Sequence, residues 1–163
     1  MLNPRTYSKI EHHIRWNIDQ EYLVAYGNVI PCSCIVRNEI NNRRHPTEVV
    51  YSIPDKAPYQ PRPFPTGTWN VSMPQSRTDR YTEPYFIPTD AFQILPVWDI
   101  NDEGYVRKST RWTKDAGYGL HYSGSDTTLG CIRIHERTDL LTLVKNIIVS
   151  IRAKERVVLY VRT

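Results

Sequence analysis

Long apolar runs are missing from this chain. No stretch approaches the roughly 18 apolar residues of a membrane-spanning helix, which predicts no membrane span. The opening segment, MLNPRTYSKIEHHIRWNID, lacks the apolar centre of a secretory signal peptide, so synthesis in the cytoplasm without one is expected. Cysteine is scarce, and its odd count of 3 excludes a fully paired disulfide framework. Cys32 and Cys34 stand two apart in IPCSCIV, where a strand turns both to one face. No His, Asp or Glu lies near them at zinc-site spacing, so two buried, reduced thiols and no metal are expected. Charge runs are absent too. The 21 basic residues exceed the 17 acidic ones by a net +4 but are scattered, which argues against a nucleic-acid stripe. A mildly cationic exterior is most simply a solvated surface, and it also suits an anionic polymer. Internal repeats and low-complexity tracts are lacking.

What is present is mostly strand. A chain of 163 residues with 40% apolar content fills a single core, and one domain is expected over residues 1–163, with 1–11 as an N-terminal extension. Ile14, Trp16 and Ile18 alternate with polar residues. EYLVAYGNVIPCSCIV is a β-rich run broken at Gly27-Asn28, an expected tight turn. From Asn38 to Pro65 the Asn, Arg and Pro content predicts a long loop holding a short strand at EVVYSI, after which GTWNVSM resumes a strand. Residues 72–115, with short runs at PYFIP and FQILPVWDI, read as an elaborated surface excursion of the kind that walls a site. Helical spacing occurs in ERTDLLTLVKNIIVSI, where Leu140, Leu143, Val144 and Ile147 share a face and Thr138 or Asp139 is placed to cap the start. RVVLYVRT closes as a strand. The fold class is mainly β with one packed helix.

The stretch YGLHYSGSDTTLGCIRIH sets His121 ten residues ahead of Cys131. A thiol is largely protonated near neutral pH and needs a neighbouring imidazole to act as a nucleophile. Gly124 and Gly130 give the intervening segment freedom, so a hairpin-like loop is expected to bring the His121 ring within a few ångströms of the Cys131 sulfur. Other residues have plainer readings. His12, His13 and His45 are expected to be exposed, and His135 to end a strand or cap a helix. Trp69, Trp98, Trp112, Tyr81, Tyr85 and Tyr118 are core or rim aromatics, those in the excursion being able to line a groove. Ser123, Ser125 and Asp126 are turn formers, and Asp99 with Asp102 has no motif supporting a glycosidase pair.

Taken in order, YLVAYGNVI, FPTGTWNV, YGLH, TTLGCIRI and the following helix resemble the YkuD-type L,D-transpeptidase catalytic domain, from about His12 to the C-terminus. The resemblance implies a β-sandwich or barrel with a helix packed after the nucleophile. It also implies a cysteine acyl transferase or peptidase on peptidoglycan stem peptides, either L,D-transpeptidase or L,D-carboxypeptidase, with no cofactor. Carried over by position, Cys131 is the nucleophile and His121 its base. The Tyr122 carbonyl orients the imidazole, Gly130 and Cys131 offer N–H groups to an oxyanion, and Arg133 braces the turn. The pattern departs from the family where Leu129 stands before Gly-Cys in place of His and where Tyr122 follows the base in place of Gly. Without an export signal, such an enzyme would reach the wall by non-classical release or in a phage particle, as a lysin or an effector. The alternative is an inert structural module, such as a virion component, that keeps the fold.

Overall fold

The computed structural model describes residues 9–36, 62–100, 106–125 and 128–163. The predicted strand at EVVYSI and the residues His45, Asp102 and Asp126 lie outside them, as do the side chains of Trp98 and Asp99. Among the described residues the elements run β1 (Glu11–Asn17), β2 (Tyr22–Ala25), β3 (Asn28–Ser33), β4 (Gly67–Asn70), β5 (Gln75–Ser76) and β6 (Tyr85–Pro88). Then follow β7 (Phe92–Ile100), β8 (Val106–Ala116), β9 (Gly119–Tyr122), β10 (Ile132–Ile134), α1 (Arg137–Arg152) and β11 (Arg156–Arg162). The fold is mainly β with one helix after Cys131, as the periodicities predict.

Nine strands form one sheet in the order β4-β11-β1-β2-β3-β10-β9-β6-β5. Alternation drives it: in β1 the buried Ile14 and Trp16 point inward while Arg15 points out, and in β11 Val157, Leu159 and Val161 do the same. α1 buries Leu140, Leu143, Val144 and Ile147 and touches β11 on one side and β6, β9 and β10 on the other. A single helix can reach both halves only if the sheet curls around it, and the right-handed twist of strands supplies that curl.

Three local expectations shift. The β2–β3 turn is Tyr26-Gly27, both at positive φ (51° and 73°), and Asn28 already pairs with Ala25. Two left-handed residues match the twist of a two-residue hairpin, so the turn falls one position earlier than Gly27-Asn28. Neither Thr138 nor Asp139 caps α1. The N-cap is Glu136, in extended conformation and without a side-chain cap bond. Its early start follows from His135, whose N–H donates to the Pro31 carbonyl (3.1 Å) as the last tie to the sheet. Asp139 instead lies in the first turn, where the helix dipole favours a carboxylate. Finally, residues 72–115 are not one surface excursion. β5 and β6 join the main sheet with Ile87 fully buried, because β6 pairs with β9, and only the β7–β8 hairpin stands apart as a two-stranded sheet.

Leu143 is 1% exposed on the inner face of α1. Replacing it with Ala is expected to destabilise the fold by about 2–5 kcal/mol in denaturant titrations, since deleting buried methyl groups leaves a cavity that the surrounding sheet cannot fill.

Candidate functional site

The site sits where β9 and β10 lie side by side. Their pairing is parallel, with Leu120 beside Ile132 and His121 beside Arg133. The connection is therefore a tight crossover and not the hairpin-like return expected from the glycines. Thr128 makes it possible by leaning on the chain beyond β3, where its N–H donates to the Ile35 carbonyl (2.9 Å). Leu120, Ile132 and Ile134 enter the core, so His121 and Arg133 face the other side of the sheet. Cys131 precedes β10 by one residue and lies beside Gly119, whose N–H donates to the sulfur. Extending the parallel register by one pair sets Cys131 opposite Gly119, two residues before His121.

His121 is 6% exposed, packed beside the Phe86 ring (6.3 Å between centroids, 36° between planes). Its Nδ1 lies 2.9 Å from the Tyr122 carbonyl, an oxygen that can only accept, so Nδ1 carries the hydrogen and Nε2 of the neutral ring is left as an acceptor. Burial holds the imidazole below its usual pKa, opposed by the Tyr122 carbonyl and Asp79 and reinforced by Arg133. Cys131 keeps part of its surface open, yet neighbouring atoms enclose the sulfur enough that desolvation pushes the thiol up to about 11. The Gly119 N–H works against this rise, and Cys34 and Asp115 add to it. The Cys131 S–H points toward the Gly117 carbonyl at a long 3.9 Å.

The turn before the thiol is held by Thr128. Its hydroxyl donates to the Cys131 carbonyl (2.8 Å) and accepts from the Gly130 N–H (3.1 Å). The Gly130 N–H, expected to serve an oxyanion, is engaged within the turn by the Thr128 hydroxyl. Gly130 itself cannot be replaced, since its φ is 121° and a Cβ would meet the Tyr118 ring at 2.6 Å and the Arg62 carbonyl at 2.7 Å. Tyr118 is a buried core aromatic, as expected; its hydroxyl donates to Asp115 and accepts from the Gln93 amide (2.7 Å). Arg133 Nε donates to the Ser123 carbonyl (2.9 Å), tying the end of the loop to β10.

The remaining candidates are dispersed. Cys32 is fully buried in the core, and Cys34, one residue past the end of β3, packs against the same core. Cys34 is half-buried beneath the thiol turn, its S–H donating to the Gly130 carbonyl (3.2 Å), and both are free thiols. His12 and His13 are half-buried, paired at 2.8 Å with Glu155 and Glu11 respectively, not exposed as predicted. His135 lies between β10 and α1 with Nε2 bonded to the Ser33 hydroxyl (2.9 Å). Trp69 donates to the Pro65 carbonyl (2.9 Å), while Trp112 and Tyr81 are exposed. Among the described residues no group of three His, Cys, Asp or Glu side chains could hold a metal ion, and no helix is long and apolar enough to cross a membrane.

No family model and no curated protein matches this chain. Among solved structures it is similar to an L,D-transpeptidase from Xylanimonas cellulosilytica, at 16% identity and a TM-score of 0.48, over 94% of this chain and 61% of that one. The chain thus spans less than two thirds of the length of that structure.

Sequence reading missed Thr128, Phe86 and Asp79. A hydroxyl two residues before a Gly-Cys pair is a signal for the first, since Thr bonds readily to nearby backbone; Phe86 and Asp79 arrive from distant segments and leave no local trace.

Two outcomes are expected. Gly130→Ala should lose more than about 2 kcal/mol of stability, measured by chemical denaturation, because the new methyl must displace both ring and carbonyl at a strained φ. His121 should make the fold acid-sensitive. With its folded pKa below the unfolded value, the unfolded chain binds more protons, so stability is retained above about pH 6.5 and lost as pH falls through the folded pKa. Thermal melts from pH 7 to pH 5 should show that loss, and His121→Gln should reduce it.

Proposed function

We propose that this protein is a cysteine acyl transferase acting on peptidoglycan stem peptides, passing the acyl group to an amine or to water. The observation that supports the chemistry is the parallel register that sets His121 beside Arg133, two residues after Cys131, with His121 Nε2 left as an acceptor. The substrate class rests on the ordered motifs PTGT, YGLH and GCIR, which resemble those of L,D-transpeptidases.

At neutral pH the pair rests as a thiol and a neutral imidazole, because burial shifts both away from their charged forms. The proton therefore moves as the bond forms. As the sulfur attacks the carbonyl carbon between the L-centre and the terminal D-residue, Nε2 takes the thiol proton and the carbonyl electron pair moves onto oxygen. Collapse expels the terminal amine, which recovers the proton from His121 and leaves a thioester. An incoming amine or water, deprotonated by the same Nε2, attacks that thioester and returns the thiol. The Cys131 N–H is the backbone donor proposed for the oxyanion, because the Gly130 N–H is committed to Thr128.

A second reading, an inert module that keeps the fold, draws on the raised thiol pKa of about 11 and on the occupied Gly130 N–H. Muropeptide turnover followed by mass spectrometry separates the two. Cys131→Ala should abolish it, and His121→Ala should lower it by roughly a hundredfold or more while the protein still folds. The value of kcat/KM should stay flat through neutral pH and fall only below about pH 6.5, where His121 gains its proton. Wild-type protein that folds yet releases no product from tetrapeptide or pentapeptide substrates would decide for the inert module.

A further inference from the structure

On the outer face of β11, β1 and β2, Arg15 pairs in register with Tyr160 on one side and Val24 on the other. The Arg15 and Arg162 guanidinium carbons each lie 5.3 Å from the centre of the Tyr160 ring, so one aromatic ring carries two cations. Both are held in place. Arg162 donates to the Gly67 carbonyl (2.7 Å) and the Thr68 hydroxyl (2.9 Å). Arg15 donates to His13 Nδ1 (3.0 Å), and His13 Nε2 in turn donates to Glu11 (2.8 Å). Among the described residues neither guanidinium lies within ion-pair distance of a carboxylate, Glu11 being engaged by His13 and by the Tyr160 hydroxyl (3.3 Å). The cations border a shallow concavity of about 480 Å³ that is also lined by Tyr22 and Val24, 39% and 40% exposed.

We propose that this concavity is a second, non-catalytic binding surface that holds stem-peptide carboxylates of peptidoglycan, separate from the thiol site. The proposal rests on the substrate class proposed above. Two oriented guanidiniums lacking an internal counter-charge complement carboxylates, which they can engage through paired N–H groups. The aromatic and aliphatic rim offers contact to the peptide between them. Surface and thiol lie on different strands of the sheet, with β3 between them. Occupying one therefore leaves the other open, and a wall-bound molecule could work on a neighbouring strand of polymer.

The test is co-sedimentation of the Cys131→Ala protein with purified sacculi stripped of accessory polymers, beside turnover of soluble muropeptides by the protein with its cysteine intact. Arg15→Gln should weaken pelleting by about fivefold, and Arg15→Gln with Arg162→Gln by more, as expected when exposed charge contacts are lost. Both effects should shrink at high salt, with muropeptide turnover unchanged by Arg15→Gln. Because Arg162 also ties β11 to β4, the Arg15 variant alone decides if the double variant melts early. If turnover is intact but Arg15→Gln pellets like its parent, this surface is not a carboxylate site and the proposed chemistry stands. Pelleting only with walls that carry phosphodiester polymers likewise overturns the inference. If neither turnover nor pelleting occurs, both readings fall.

Discussion

The site depends on the parallel pairing of β9 with β10. Parallel neighbours normally need a crossover of a dozen or more residues, usually through a helix, because the chain must travel back to the starting end of the sheet. Here residues 123–131 make that return with no helix among the described residues, leaving little slack. The segment is tied at Ser123 by Arg133 and at Thr128 by the Ile35 carbonyl, and the turn at Gly130 rests on the Tyr118 ring. The result is a thiol at the start of one strand and an imidazole near the end of its neighbour.

Electrostatically, the same enclosure acts on the two groups in opposite directions. Desolvation disfavours thiolate and imidazolium alike, so it raises one pKa and lowers the other, and the neutral pair is the resting state. Hydrogen bonding adds direction. The Tyr122 carbonyl selects the tautomer, and the Gly119 N–H meets the sulfur, favouring negative charge there. At rest the proton therefore stays on the sulfur.

Much of the fold could be read from period alone. Ile14, Trp16, Leu140, Leu143, Val144 and Ile147 are inward-facing, as their spacing predicts. What could not be read depends on distant partners. β6 looked like part of a surface loop because its burial comes from pairing with β9, more than thirty residues later. Cys34 looked like a strand neighbour of Cys32, but the strand stops at Ser33 and leaves Cys34 to serve the turn at Gly130. At the site, residue types and spacing named Cys131 and His121 as candidates, whereas Thr128 claims the Gly130 N–H through a contact that motif matching does not weigh.

β1 and β11 are parallel neighbours, with β11 next to the edge strand β4, so the earliest described strand waits for the last. On the ribosome, β2 and β3 can form their hairpin early, but the open edge of β1 has no partner until the helix and β11 have emerged. β4 waits likewise, since β11 is its neighbour in the sheet. Closure of the sheet is thus dominated by long-range pairing, a topology that folds slowly for its size. Loss of the final strand would expose two edges at once and turn a local truncation into a failure of the entire sheet.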